Sequence, residues 1–397
     1  MKHSFYFRFF QKLHSDFFAC LLSQLAYLIY CCLYLMKKIH RKRVYLNLSL
    51  NEAKKLVIEK HPRIKYQIEY DNHSINTDLD LSIIVPVYNY VDKIEKTINA
   101  VLSQKTKYSY QVILVDDGST DGSADILRKF QGNMNVKLIF QENAGIGAAR
   151  NTGINASDGK YLMFVDCDDI VHDDIIEVLL DKAYSDEYDM VMCAHNLSKE
   201  RDGEVYEVIP NIYTKKNLMG YKNGDKIMNL AGLPWCKVYK RELWDNVRFF
   251  PGYWYEDTII QFLIFTQCKH FDYIPVVEYE YKWYEKNYSH VQGKSENTKA
   301  IDVYWLLNEI LDRYNYLGLP KDNALYTLIL RHISTHYYSC IKMLDDTLVQ
   351  ALFVMAGELY VKYKPKEKVR LPYMLKQVEK AFDEKDIELW KLASSYL

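Results

Sequence analysis

The sequence predicts an α/β fold, with a mostly parallel sheet, helices on both of its faces, a hydrophobic helix before it and a helical region after it. Two observations support this prediction. From residue 81 onward, short runs of β-branched residues alternate with segments of helical periodicity, which is the pattern of βαβ units around a parallel sheet. Hydrophobic residues make up 49% of the 397 residues, enough to build the cores of two or three compact units.

Five strands are predicted, each as a short apolar run. They cover residues 81–87, 110–116, 136–140, 160–166 and 188–194. Between them, segments 93–102 and 174–183 repeat apolar residues at helical spacing, as in Ile94, Ile98 and Val101. In open sheets of this kind, ligands bind beyond the carboxyl ends of the strands. The residues that follow each strand are therefore the candidates for chemistry.

The first 43 residues predict a hydrophobic and basic segment that associates with a membrane. Residues 17–36 carry no charge, and about 20 apolar residues span a bilayer core. Five cations follow within residues 37–43, so by the positive-inside rule the rest of the chain faces the cytoplasm. Three forms stay open: a spanning anchor, an in-plane amphipathic anchor beside anionic lipids, and a helix that packs on the protein itself.

Composition argues against two other classes of protein. The 51 basic and 52 acidic residues nearly cancel, and the main body has no strongly basic tract, which argues against a nucleic-acid partner. The eight cysteines contain no CxxC pair. They indicate buried thiols in a reducing compartment, not a disulfide or zinc framework. The oligomeric state is not predicted by the sequence.

The stretch FVDCDD places three carboxylates directly after an apolar run. They belong to Asp166, Asp168 and Asp169. Like charges at one site raise one another's pKa, and burying them together costs free energy unless a cation is present. The stretch therefore predicts a metal site.

Three other motifs fit poorly. VDDGSTDGS imitates the first half of a calcium loop, but Arg128 occupies the position of the final bidentate Glu. Gly145 and Gly147 imitate a dinucleotide fingerprint, but Arg150 stands where close packing needs Gly or Ala. FVDCDD also resembles the haloacid-dehalogenase signature, but Ile170 replaces Thr or Val and the motif follows the fourth strand. A calcium-binding protein, a dehydrogenase and a phosphatase are therefore disfavoured.

Taken together, the strand ends resemble the family 2 glycosyltransferases, nucleotide-sugar-dependent enzymes of the GT-A fold, which is Rossmann-like. The resemblance runs in the family's order over about 180 residues, from Leu81 to Ile259. It is carried by LSIIVPVYN, QVILVDDGSTDGS, ENAGIGAARNTGI, GKYLMFVDCDD, PWCKVYKREL and YEDTI. The processive-synthase motif QxxRW is absent, which favours the addition of one or a few sugars.

The resemblance implies a role for each of these motifs. It implies a base pocket formed by Pro86, Val87, Tyr88 and Asn89. It implies further nucleotide contacts from Asp117, Asn143, Arg150 and Asp166. It implies that Mg²⁺ or Mn²⁺ is bound by Asp166, Asp168 and Asp169. Asp257 is similar to the family's general base, with Glu256 as its companion.

Trp235 is a candidate for acceptor binding, because aromatic rings stack on the apolar faces of sugars. Packing in the core is the other possibility for this side chain, and the sequence leaves both open.

The resemblance also implies a domain order and a function. Residues 44–79 form a linker or small helical segment, 80–195 the nucleotide-sugar half, 196–295 the acceptor half with the base, and 296–397 the helical region. The implied function is inverting transfer of a sugar, most simply from a UDP-sugar, to a saccharide or lipid-linked oligosaccharide of a capsule, exopolysaccharide or cell-wall glycan. It would occur at the cytoplasmic face of a bacterial cell membrane. The alternative is a non-catalytic nucleotide-sugar-binding subunit.

Overall fold

The structure is a computed structural model that describes residues 16–42, 44, 46–71, 78–201, 204–213, 230, 232–284 and 297–397. The chain divides into two compact units. The larger unit is His61–Leu325, and the smaller unit combines Met1–Lys60 with Tyr326–Leu397. These boundaries differ from the predicted boundaries at 43, 79 and 295, because helices that are distant in sequence pack together in the smaller unit.

The described part of the larger unit contains a mixed nine-stranded sheet. Its strands are β1 (Leu81–Val87), β2 (Tyr110–Asp116), β3 (Val136–Phe140), β4 (Tyr161–Phe164), β5 (Ile170–Val171), β6 (Met190–Arg201), β7 (Glu204–Asn211), β8 (Lys237–Lys240) and β9 (Phe271–Trp283). Their order is β3-β2-β1-β4-β8-β6-β9-β5, with β7 paired to β6.

The first half of this sheet is parallel. Strands β3, β2, β1 and β4 are parallel neighbours, and Ile83 of β1 lies between Val112 and Met163. All seven residues of β1 are buried, as expected of a strand covered on both faces. The predicted α/β fold class is confirmed. Antiparallel pairing enters with β8, which lies between β4 and β6; the direction of so short a strand cannot be deduced from residue periodicity.

Helices connect these strands, and the periodicity predicted the two that begin near residues 93 and 174. They are α3 (Ile94–Leu102) after β1, α4 (Ser123–Arg128) after β2, α5 (Ile146–Asn155) after β3 and α6 (Ile175–Ser185) before β6. In α3, the predicted apolar face of Ile94, Ile98 and Val101 is fully buried. Helix α5 contacts β1 and β2, so its N-terminus lies near the strand ends that carry the site.

The second half of the larger unit completes the surroundings of the site. A 3₁₀ turn (Arg241–Trp244) follows β8, and a π-helical turn (Ile260–Ile264) leads into Phe265–Gln267 before β9. Helix α7 (Asp302–Tyr316), preceded by the 3₁₀ turn Thr298–Ile301, packs against this π-helical turn. We call residues 249–257, which lie between the 3₁₀ and π-helical turns, the base loop.

The smaller unit is helical. It contains α1 (Asp16–His40), α2 (Leu50–Lys60), α8 (Asn323–Ser334, within which the unit boundary falls), α9 (His336–Ile341), α10 (Asp346–Tyr363), α11 (Tyr373–Asp383) and α12 (Ile387–Ser395). Helix α2 packs against α10 and α1 against α12. The predicted helical C-terminal region is therefore present, but it shares its core with the N-terminal helices.

The hydrophobic helix predicted near the N-terminus forms as α1. Its Tyr30 hydroxyl donates to the carbonyl of Tyr396 at 2.7 Å. Tyr34, 1% exposed, packs edge-on against Tyr373 and Tyr396, and Arg41 forms an ion pair with the buried Asp386. Across the described residues, the structure contains no helix with the length and apolar character needed to cross a membrane.

Candidate active site

The loops after β1 and β2 are joined by hydrogen bonds. Asn89 has a left-handed backbone (φ 57°), a conformation that Asn tolerates better than most residues. Its Oδ1 accepts from the backbone N–H of Thr120 at 2.8 Å, and its own N–H donates to Ser119 Oγ at 3.0 Å. Of the predicted base pocket, Pro86 and Val87 are buried within β1, whereas Tyr88 and Asn89 are exposed beyond it.

Asp117 accepts three hydrogen bonds within the protein, and its predicted role as the nucleobase acceptor stays a prediction. It is 2% exposed. Its Oδ1 accepts from Gln141 Nε2 (2.7 Å) and the N–H of Ala144 (2.9 Å), and its Oδ2 accepts from the N–H of Gly145 (2.8 Å). These three bonds fix the loop that begins α5, and they occupy the oxygens that a nucleobase would have to share.

The neighbouring Asp116 has one carboxylate oxygen that accepts no hydrogen bond from the described residues. Its Oδ2 accepts a long hydrogen bond from the N–H of Ser119 (3.3 Å), whereas its Oδ1 is buried without a hydrogen-bond partner among the described residues. A buried acceptor without a partner costs free energy unless a ligand or water satisfies it. Asn143 lies close by, and its Nδ2 donates to the carbonyl of Asp117 at 3.0 Å.

Arg150 joins two carboxylates from different motifs, Asp166 in GKYLMFVDCDD and Glu256 in YEDTI. Its side chain is 2% exposed. One terminal nitrogen donates to Asp166 Oδ1 at 2.8 Å and the other to Glu256 Oε1 at 2.6 Å. Charge-assisted bonds of this kind are among the stronger ones in proteins. The guanidinium predicted to contact a nucleotide is thus used to connect the strand end of β4 with the base loop.

Helix α5 holds the base loop at a second point. The side-chain amide of Asn151 exchanges two hydrogen bonds of 2.8 Å with the backbone N–H and carbonyl of Phe249. Gly147 of the same helix also lies close to the base loop. A Cβ added at this residue would lie 3.2 Å from Phe249 Cβ and 3.4 Å from the Phe250 carbonyl oxygen. The glycine is therefore explained by the close approach of helix and loop.

The three acids of FVDCDD differ in their surroundings. Asp169 is 0% exposed; its Oδ2 accepts from the Tyr279 hydroxyl (2.7 Å) and its Oδ1 from the N–H of Lys282 (2.8 Å). Both oxygens accept hydrogen bonds from β9, and the predicted role of Asp169 as a metal ligand stays a prediction. Burial and then the charge of Asp166 raise the pKa of Asp168 to about 7, the effect expected of crowded acids without a cation.

Asp166 and Asp168 remain as a pair of carboxylates that fits a divalent cation in number and chemistry. Hard cations such as Mg²⁺ prefer oxygen ligands and usually take only one or two protein carboxylates beside substrate phosphates. Among the described residues, no group of three or more His, Cys, Asp or Glu side chains is arranged to hold a metal ion unaided. The pair therefore needs ligands from outside the protein to complete a coordination sphere.

A residue with a strained backbone directly precedes Glu256 and Asp257 and sets their orientation. Tyr255 is buried and has a left-handed backbone (φ 65°), which is uncommon for a bulky side chain. Directly after it come Glu256, bound to Arg150, and Asp257, which precedes the helical segment ending at Gln267. Burial raises the pKa of Asp257 to about 6, with Arg150 opposing the increase and Asp166 adding to it. Burial likewise raises the pKa of Glu256, again opposed by Arg150.

One family model matches part of the chain. The model of the glycosyl transferase family 2 matches residues 82–247, which include β2, β4, Arg150 and all of β1 except Leu81; Glu256 and Asp257 lie beyond the match. Residues 82–247 belong to glycosyltransferase family 2, and we call them the family 2 domain.

Two relatives of the family 2 domain come from bacteria. The chain is 30% identical to glycosyltransferase GlyA of Streptococcus pneumoniae over 258 residues, which is 62% of this chain and 36% of the relative. It is 31% identical to the uncharacterized glycosyltransferase YibD of Escherichia coli over 193 residues, which is 47% of this chain and 56% of the relative. The chain thus spans roughly a third to a little over half of these relatives.

Solved structures were compared as well. The crystal structure of S. aureus TarS in complex with UDP is 17% identical, with a TM-score of 0.48, and the match covers 80% of this chain and 90% of that chain.

Trp235 of the family 2 domain lies in the core. It is 4% exposed, and its ring stacks on Tyr279 at 4.9 Å and Tyr281 at 5.2 Å, with His195 edge-on at 4.8 Å. The predicted contact with an acceptor sugar is therefore wrong for this structure, because three aromatic side chains occupy the surroundings of the ring.

Two further residues of the family 2 domain matter to the site. The sequence assigned no role to Asn151, and it left open whether Asp116 or Asp117 accepts from a nucleobase. Asn151 stands next to Arg150 in the quoted stretch ENAGIGAARN, and this position within the motif was the available signal. Asp116 directly precedes Asp117. Helix capping explains neither acid, and that was the signal for Asp116.

Proposed function

We propose that this chain is an inverting glycosyltransferase that moves a sugar from a nucleoside diphosphate to a saccharide acceptor. The observation that carries the proposal is the position of Arg150 between Asp166 and Glu256. It joins the acidic strand end suited to a metal–diphosphate with the acidic loop suited to a base. Single displacement with inversion needs these two functions on opposite sides of the reacting carbon, and one buried guanidinium fixes their separation.

On the donor side, Asp166 and Asp168 would hold Mg²⁺ or Mn²⁺. Such a cation neutralises the negative charge that develops on a diphosphate as it leaves. The raised pKa of Asp168 supports this role, since a cation would stabilise its ionised form. Arg150 keeps Asp166 oriented through Oδ1 and leaves Oδ2 for the cation.

On the acceptor side, Asp257 would accept the proton of the attacking hydroxyl. A general base works best when its pKa lies near the operating pH, and burial brings the pKa of Asp257 to about 6. It is then mostly ionised at neutral pH and still basic enough to take a proton. Glu256, bound to Arg150, has the supporting role of fixing the base loop.

The nucleotide would bind across the ends of β1 and β2. Tyr88 and Asn89 offer exposed side chains there, and Asp116 Oδ1 offers an acceptor without a partner for a ring N–H of the base. Uracil carries such a ring N–H between two carbonyls and guanine carries one beside a carbonyl; of these two, a UDP-sugar is the donor that we propose. The acceptor is proposed to be a saccharide or lipid-linked oligosaccharide.

Attachment to the cytoplasmic face of a membrane is proposed through α1. On the side opposite Tyr34, the described part of this helix exposes apolar side chains at helical spacing, namely Leu25, Leu28, Ile29, Met36 and Ile39. Such a face can enter a lipid interface in the plane of the membrane. Flotation with anionic vesicles tests this: Leu28→Asp should release the protein, whereas Val361→Asp, at another exposed apolar site (71%), should not. Equal flotation of both variants would place the attachment elsewhere.

A donor-consumption screen tests the proposed activity. Purified chain is incubated with UDP- and GDP-sugars, with Mn²⁺ or with EDTA, and the released nucleotide is measured by mass spectrometry. We expect metal-dependent release from one donor, loss of release in Asp257→Asn with nucleotide binding retained, and normal release in Asp272→Asn, a control acid paired with Lys182 on the surface. Nucleotide binding without any release in the wild type would favour a non-catalytic subunit.

A further inference from the structure

The base loop is held from a side that lies outside the family 2 match. Helix α7 begins at Asp302, which is 0% exposed. Its Oδ2 accepts from the backbone N–H of Trp254 at 2.9 Å, and its Oδ1 lies 2.6 Å from His61 Nε2. Trp254 is three residues before Asp257, so this bond acts almost directly on the backbone that carries the proposed base.

A second acid of α7 holds the preceding residue. Glu309 Oε1 accepts from the hydroxyl of Tyr253 at 3.1 Å and from Arg63 Nε at 2.5 Å, and its Oε2 accepts from the hydroxyl of Tyr66 at 2.6 Å. Two successive residues of the base loop are thus attached to one helix. The same two acids also bind residues 61–66, which precede the sheet.

The backbone on both sides of this attachment is left-handed. Gly252 has φ 80° and Tyr255 has φ 65°. Glycine adopts such a conformation without cost, but for a bulky residue it costs about 1–3 kcal/mol and persists only where the surroundings enforce it. Tyr255 is followed directly by Glu256 and Asp257. Release of residues 253 and 254 would let Tyr255 relax and turn both acids away from the site.

An acid in the first turn of a helix has a simpler explanation, which is the favourable interaction with the helix dipole. That explanation does not account for the geometry of Asp302. Its oxygens are directed to His61 and Trp254, outside α7, and a fully buried position is not required for a dipole interaction. The directed bond to a backbone N–H, next to a strained residue, is the feature that needs a reason.

We propose that Asp302, assisted by Glu309, is a positioning residue that holds the strained base loop so that Asp257 faces the acceptor. This inference rests on the proposed function for the role of Asp257. It adds residues from α7 to a site that the sequence motifs confine to residues 81–259. Neither acid contacts the reacting groups; they act through the backbone of Trp254 and the side chain of Tyr253.

The test compares Asp302→Asn, which keeps an acceptor for the Trp254 N–H, with Asp302→Leu, which has similar volume and no acceptor. We expect Asp302→Leu to lower kcat by about 10- to 100-fold, because misplacement of a catalytic group by about 1 Å costs up to this much. Donor KM and nucleotide Kd should stay near wild type, since the nucleotide loops are held by other contacts. Asp302→Asn should keep most of the wild-type kcat.

The matched control is Asp386→Leu in the smaller unit. Asp386 is also 0% exposed, begins a helix and pairs with a cation, Arg41. It should lower thermal stability as Asp302→Leu does, without the selective loss of kcat. Hydrogen exchange of a peptide covering residues 252–258 gives a readout independent of activity. Exchange there should accelerate in Asp302→Leu and stay slow in Asp302→Asn and Asp386→Leu.

Three outcomes would overturn the inference: wild-type kcat in Asp302→Leu, an equal loss in Asp302→Asn, or a parallel loss of nucleotide affinity. If Asp302→Leu does not fold, Tyr253→Phe is the second variant, because it removes only the hydroxyl that binds Glu309. It should accelerate hydrogen exchange in the same peptide and lower kcat. If neither measurement changes, the inference is also overturned. Failure of the proposed function would show separately, as a wild-type chain without donor turnover but with the same exchange pattern.

Discussion

Replacement of Arg150 by Met tests the connection between the two acidic parts of the site. Arg150 is 2% exposed, while its partners Asp166 and Glu256 are 21% and 15% exposed. Removing one partner of a buried ion pair costs about 3–5 kcal/mol, because the charge left behind has no compensation. Since both carboxylates keep some contact with solvent, we expect the lower end, about 3 kcal/mol.

This loss can be measured by thermal unfolding. For a unit of this size, 1 kcal/mol corresponds to about 2–4 °C in Tm, so Arg150→Met should lower Tm by about 6–12 °C. The second variant Arg150→Met with Glu256→Gln removes one of the uncompensated carboxylates and should recover part of the loss. An additive loss in the double variant would contradict the assigned pairing.

The same variant predicts a change in the pH dependence of turnover. Arg150 lowers the pKa of Asp257 against the effect of burial, so its removal should raise that pKa and move the acid limb of kcat to higher pH. The residual kcat of Arg150→Met is therefore expected to recover partly as pH increases. The reasoning would be refuted if the Tm of Arg150→Met stayed within about 1 °C of wild type, which corresponds to well under 1 kcal/mol, and if the acid limb of its kcat profile did not move.

Three further predictions follow from the site. In the wild type, kcat should rise with pH through about 6, because Asp257 must lose its proton to act as a base and burial sets its pKa there; a flat profile between pH 5 and 7 would exclude it. Gly147→Ala should lower stability by about 1–3 kcal/mol through overpacking and should also lower kcat, because the added Cβ would lie 3.2 Å from Phe249 Cβ. The control Gly357→Ala places its Cβ 3.6 Å from the nearest neighbouring atom, so it should be neutral or stabilising in urea titration. Asp117→Ala should lower stability by about 1–3 kcal/mol by freeing buried donors, whereas Asp116→Asn should chiefly weaken nucleotide binding in calorimetry; the reverse pattern would favour Asp117 as the nucleobase acceptor.

The parts of the fold that the sequence predicted are local. The bounds of β1, β2 and β3 were predicted to the residue, and those of α3 and α6 to within two residues at each end. These elements are predictable because buried parallel strands and amphipathic helices each have a characteristic pattern of apolar residues over neighbouring positions. The motif series also identified the acids that follow β4 and those that precede the π-helical turn. Strand β8 could not be oriented in advance, since four residues between two neighbours pair equally well in either direction.

Side-chain partners across the site were beyond the reach of sequence. Asp117 and Asp169 stand in polar motifs next to strand ends, yet both are satisfied by internal bonds to segments more than twenty residues away. Trp235 is equally compatible with a sugar site or a core, and only the packing of Tyr279 and Tyr281 decides for the core. A motif fixes which residue types follow a strand, but not which of them turn inward.

The sequence by itself determined the α/β class, the family 2 resemblance and the two groups of acids, at residues 166–169 and 256–257. Only the tertiary structure decided that Arg150 binds both groups, that Asn151 and Gly147 fit α5 against the base loop, and that α7 holds the same loop through Asp302. The physical reason is that hydrogen bonds and ion pairs act over about 3 Å. Such contacts form only after the folded chain has brought together residues that are distant in the sequence, such as Arg150 and Glu256, which lie 106 positions apart.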